Sequence, residues 1–62
     1  MNNLPKDPIM LMSYLNTQLR DNYRNLDELA EGLELSDVEL KEIIDKISVI
    51  DYHYNESLNQ FK

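Results

Sequence analysis

Cysteine is absent from this 62-residue chain, which excludes a disulfide staple and a thiolate metal site. Tryptophan is absent too, glycine occurs once, at Gly32, and histidine once, at His53. A chain this short buries only about 60% of the surface its unfolded form exposes. A core of that size rarely gives more than ~3–5 kcal/mol of net stability. The hydrophobic residues, 42% of the chain, must build the core unaided or complete it against a second copy. Long apolar runs are missing as well. The longest uncharged stretch, Pro8 to Leu19, is broken by Ser13, Asn16, Thr17 and Gln18 and is too short to span a bilayer. Pro5-Lys6-Asp7-Pro8 interrupts the start, and no small-residue cleavage site of a signal peptide follows. The expectation is one domain over 1–62, cytoplasmic, with no membrane partner.

Basic residues are in short supply: Lys and Arg total 6 against 12 Asp and Glu, for a net charge of −6. The imbalance is local. In residues 1–24, Lys6, Arg20 and Arg24 outweigh Asp7 and Asp21 by one. In residues 25–47, Asp27, Glu28, Glu31, Glu34, Asp37, Glu39, Glu42 and Asp45 face only Lys41 and Lys46. A field of that sign disfavours phosphate backbones and anionic membranes.

Asp7-Pro8 predicts a helix start, because Asp accepts the free amides of a first turn and proline at N1 forfeits no hydrogen bond. Leu11, Leu15 and Leu19 follow at i+4 spacing with Met12 and Tyr14 beside them, giving a helix over 8–21. Asn25 and Glu28 resemble a capping box, and Leu26, Leu29, Ala30 and Leu33 supply the apolar face of a helix over 26–33. Ser36 and Glu39 form the capping box proper of a third helix, 37–47, with Leu40, Ile43, Ile44 and Ile47 as its buried stripe. Thereafter the period drops to two. Ile50, Tyr52 and Tyr54 alternate with Asp51 and His53, and Asn55-Glu56-Ser57 is turn-like, so a β-hairpin over 50–61 is expected.

The fold class expected is mainly α: a three-helix, helix-turn-helix-like domain with a short C-terminal β-hairpin, winged-helix-like in its order. Ala30 takes the tight helix crossing, Leu35 the turn, and Leu40 and Ile43 the core positions of the second helix. Glu34 stands where such turns usually hold glycine, which leaves open whether the turn carries a left-handed residue. A nucleic-acid-binding version would send the third helix into the major groove. Its exposed face would carry Ser36, Asp37, Glu39, Lys41, Glu42 and Asp45, four of them carboxylates. Carboxylates read cytosine amino groups only after other residues have secured the phosphates. Nucleic acid is therefore an unfavoured partner.

Catalysis has little to work with. His53 falls on the polar side of its alternation, and no carboxylate pairs with a nucleophile or shows metal-ligand spacing. No enzyme activity, metal or cofactor is expected. The apolar residues say more. One helix cannot hide Ile9, Met10, Leu11, Met12, Tyr14, Leu15 and Leu19 on a single stripe. Tyrosine is enriched at interfaces and methionine adapts to varied partners. Ile9, Met10, Met12, Tyr52, Tyr54 and Phe61 are thus the candidate partner surface, with the fastening of hairpin to helices as the competing role for the last three.

Asn3-Leu4-Pro5-Lys6-Asp7-Pro8-Ile9-Met10-Leu11, with Asn16-Thr17-Gln18-Leu19-Arg20-Asp21 and Tyr23 after it, resembles the opening of a family of short uncharacterised bacterial proteins. Tyr52-His53-Tyr54-Asn55-Glu56 with Leu58-Asn59-Gln60-Phe61 is similar to that family's ending. The resemblance implies a stand-alone bacterial domain of unknown function and supplies no activity. It singles out Asn16, Arg20, Asp21 and Asn59 as a candidate polar site, against the simpler role of capping the first helix and tying the tail to it. The reading favoured on these grounds is a non-catalytic protein-interaction or structural module, with a protein partner or a second copy as its ligand. The alternative is a winged-helix-like transcriptional regulator.

Overall fold

The computed structural model describes residues 4–62, so Asn3 of the opening motif and the first residues of the expected domain lie outside them. Three helices and a hairpin follow in order: α1 Pro8–Asp21, α2 Leu26–Gly32, α3 Asp37–Ser48, β1 Tyr54–Asn55 and β2 Gln60–Phe61. The chain is mainly α, with the two strands antiparallel, Tyr54 opposite Phe61 and Asn55 opposite Gln60.

Each helix starts on side-chain chemistry. Asp7 accepts from the Met10 amide at 3.1 Å, with Pro8 at the first helical position. Asn25 accepts from Glu28 N at 2.8 Å, while the Glu28 carboxylate reaches one residue further back, to Arg24 N at 3.1 Å. Ser36 and Glu39 exchange both bonds, at 2.9 and 3.2 Å. These contacts satisfy amides that have no partner within their own helix.

The helix ends are less ordinary, because glycine is not where a left-handed residue is needed. Glu34 has φ 59° and Asp51 φ 68°. After α2, Leu35 N donates to Ala30 O at 2.8 Å and Glu34 N to Glu31 O at 3.1 Å, the paired bonds of a Schellman ending with glutamate in the glycine position. The same pattern recurs after α3, where Asp51 N donates to Ser48 O at 2.9 Å and Tyr52 N to Ile47 O at 3.5 Å. Gly32 keeps a negative φ and serves a different purpose. A Cβ placed there would overlap the Tyr23 ring, so the missing side chain lets Tyr23 lie across the end of α2.

Leu11, Leu15, Leu19, Leu29, Ile47 and Phe61 form the buried core, and α1 touches α2, α3 and β2. Ile43 and Ile44 of the α3 stripe pack on this cluster half-buried, and Leu40 is also only half-buried. The hairpin is shorter than the 50–61 expected from alternation. Residues 49–51 continue out of α3 as turns, and Asp51 reverses the chain before pairing begins at His53.

Candidate functional site

The seam between α1 and the hairpin gathers most of the polar residues singled out by sequence. His53 and Lys62 exchange both backbone hydrogen bonds, at 3.2 and 2.9 Å. Tyr54 and Phe61, one step along, therefore form a non-hydrogen-bonded pair whose backbone groups point away from each other. Asn16 of α1 meets the outward groups of Phe61: its Nδ2 donates to Phe61 O at 3.2 Å and its Oδ1 accepts from Phe61 N at 2.7 Å. One carboxamide thus stands in for the next strand.

Asn59, left-handed at φ 53°, completes the seam from the other side. Its Nδ2 donates to Leu19 O at 3.1 Å and to Tyr23 O at 3.0 Å, satisfying carbonyls at and beyond the end of α1. Its Oδ1 accepts from the Tyr54 hydroxyl at 2.7 Å. Burial pushes the Tyr54 hydroxyl pKa above its ordinary value; a Leu26 backbone bond opposes that, and the charges of Glu56 and Asp27 add to it. Asn16, Arg20 and Asn59 line one shallow depression with Leu58 and Gln60. Arg20 is bound to Asp21 through Nε at 2.9 Å and Nη2 at 3.1 Å, which holds the Asp21 carboxyl below its usual range. The two asparagine carboxamides of this seam are committed to the fold, and Arg20 is already paired.

The six residues of the candidate partner surface separate. Phe61 is buried, its ring 5.6 Å from that of Tyr54, so it belongs to the core and offers no free surface. Met12 and Tyr54 are half-buried against the same core. Tyr52 is 40% exposed and stands apart from the strand. Ile9 and Met10 are 58% and 62% exposed on the first turn of α1, with Tyr14 one turn beyond Met10 on the same side. The outer face of α1 carries apolar Ile9, Met10 and Tyr14 beside exposed Ser13 in its first two turns and is polar afterwards, at Thr17, Arg20 and Asp21.

The outer face of α3 is acidic, but Glu39 leaves it to close the capping box. Lys41 lies 3.0 Å from Asp45. Val38, which sequence reasoning passed over, stands exposed among these charges. Periodicity already placed it off the apolar stripe, so the signal was present. His53 is exposed, with Nε2 3.9 Å from Asp51 Oδ1.

One further depression, of about 340 Å³, lies between residues 4–6, Leu11 and α3. Leu4, Leu35 and Ile43 give it an apolar floor, and Glu39, Glu42, Lys6 and Lys46 border it. Lys46 Nζ donates to Lys6 O at 3.2 Å, strapping the segment before α1 to α3. No helix among the described residues is long and apolar enough to cross a membrane, and they contain no metal-capable cluster of three His, Cys, Asp or Glu.

Residues 5–61 match the family described as Domain of unknown function (DUF4250). No curated protein and no solved structure matches.

Proposed function

The chain belongs to the DUF4250 family, and from that premise we propose that it is a non-catalytic protein-interaction module whose contact surface is the N-terminal half of α1. The observation that carries this reading is the unpartnered trio Ile9, Met10 and Tyr14 on one helix. A second copy is the first partner to consider, since a core of six buried residues leaves apolar surface uncovered. An interface of standard size takes about 800 Å² from each partner, a large share of the 4433 Å² total. Three side chains supply less than that, so the association is weak and reversible. Light scattering from micromolar to millimolar protein tests it. Mass should rise with concentration, and Met10→Glu, an exposed change that leaves the core alone, should abolish the rise. A wild-type chain that stays monomeric throughout would rule out the self-association.

The acidic outer face of α3 weighs against the regulator alternative. Asp37, Glu42 and Asp45 are exposed on the face that would enter the major groove, where their charge repels the phosphate backbone, and Lys41 is already held by Asp45.

A further inference from the structure

The hairpin ends the described chain, yet the bonds that hold it run back towards the first helix. Asn16 takes both outward backbone groups of Phe61, and Asn59 reaches the carbonyls of Leu19 and Tyr23. The Tyr54 hydroxyl adds a bond to the Leu26 backbone. No hydrogen bond among the described residues joins residues 53–62 to α3, the helix that leads into them. The link is Val49 to Tyr52. Val49 is 81% exposed and still helical, at φ −60° and ψ −31°. Ile50 N and Asp51 N then bond three residues back, to Ile47 O and Ser48 O, so the last turn tightens instead of continuing. The chain reverses at Asp51, left-handed at φ 68°, where an L residue carries a steric cost that glycine would avoid.

We propose that this link is a hinge and that the hairpin exchanges between two copies, residues 53–62 of each clasping α1 of the other. Asn16 of one chain then meets Phe61 of the second copy, and Phe61 enters that copy's core. Every bond of the closed hairpin is remade with the same residue types, so the hinge and the cost of association are what distinguish dimer from monomer. With α3 running on through Val49 and Ile50, their amides bond four residues back and Asp51 leaves the left-handed region. That gain favours the dimer, lost translational freedom favours the monomer, and concentration decides between them. Exchange first requires Phe61, one of six buried core residues, to leave its own chain. It is therefore slow and takes place when concentrated protein refolds. The outer face of α1 has no part in it, so the inference goes beyond the interaction reading above and does not rest on it.

The test is refolding from urea at millimolar protein, then gel filtration with light scattering after dilution to micromolar. Wild type, Asp51→Gly, Asp51→Val and Met10→Glu are compared. The expected result is a dimer that outlasts dilution, with magnetisation transfer between the Asn16 side-chain amide of labelled chains and Phe61 of unlabelled ones. Asp51→Gly removes the steric cost and should lower the dimer share about threefold, and Asp51→Val, β-branched, should raise it about threefold. Met10→Glu should leave that share unchanged, whereas it abolishes the rapid association proposed for α1. Refolding of wild type and Asp51→Val to monomer alone would overturn the proposal. So would a dimer whose Asn16–Phe61 contacts stay within each chain, a share insensitive to Asp51→Gly, or a dimer lost in Met10→Glu. If Asp51→Val does not fold, wild type against Asp51→Gly decides alone.

Discussion

Single residues carry much of the stability of this small fold, and several act against their usual preferences. Tyr54 couples the hairpin loop to the protonation state of one hydroxyl. Its pKa is raised in the folded chain above the ordinary value of 10.0, so the stability it lends is fully present below about pH 10 and is lost as pH climbs through the raised value. Urea unfolding between pH 8 and 11.5 should show that decline, and Tyr54→Phe should remove its share of it. Gly32 offers a second test. Alanine normally improves on glycine within a helix by up to about 1 kcal/mol, but here a methyl group meets the Tyr23 ring. Gly32→Ala should lose stability in the wild type and gain it in a Tyr23→Ala background, with a coupling of about 1 kcal/mol in a double-mutant cycle. That role was not legible in the sequence, which showed one glycine near a helix end and gave no sign of the ring lying on it.

At the scale of elements, the helices and the presence of a C-terminal hairpin were legible and the extent of the hairpin was not, for a physical reason. Asp7, Asn25 and Ser36 act within three residues of themselves, so their spacing announces the helix starts, and α1 runs from Pro8 to Asp21 as its leucine spacing requires. The hairpin instead depends on Asn16 and Asn59, which act across 45 and 40 residues. Local alternation overstated its length because Asp51 takes a left-handed conformation that nothing near it in sequence demands. The same blindness placed Phe61 on a candidate partner surface when its backbone bonds to α1 turn the ring into the core. Asn16→Ala removes both bonds to Phe61 and should cost about 2 kcal/mol. Hydrogen exchange should show the Phe61 amide losing its protection before the helices do. Glu34 illustrates the reverse case. Glycine in a left-handed helix-ending position avoids a steric penalty of about 1 kcal/mol, so Glu34→Gly should raise the urea midpoint without altering the fold.

For the molecule as a whole, the arrangement separates the packed core from a small set of exposed apolar residues. The α2–α3 unit supplies Leu29 and Ile47 to the core and turns an acidic face outward, while α1 lies at the centre of the fold and still leaves Ile9, Met10 and Tyr14 uncovered. The polar residues that looked like a site, Asn16 and Asn59, are engaged in fastening the hairpin to α1. The exposed apolar side chains of α1 therefore fall in its first two turns, on the side away from the core, and that is where the proposed contact is placed. A dilution series followed by amide chemical shifts, from millimolar protein downward, tests that assignment most directly. The predicted result is concentration-dependent shifts confined to Ile9, Met10, Ser13 and Tyr14 and their neighbours. Shifts confined to the outer face of α3, or none at any concentration, would contradict it.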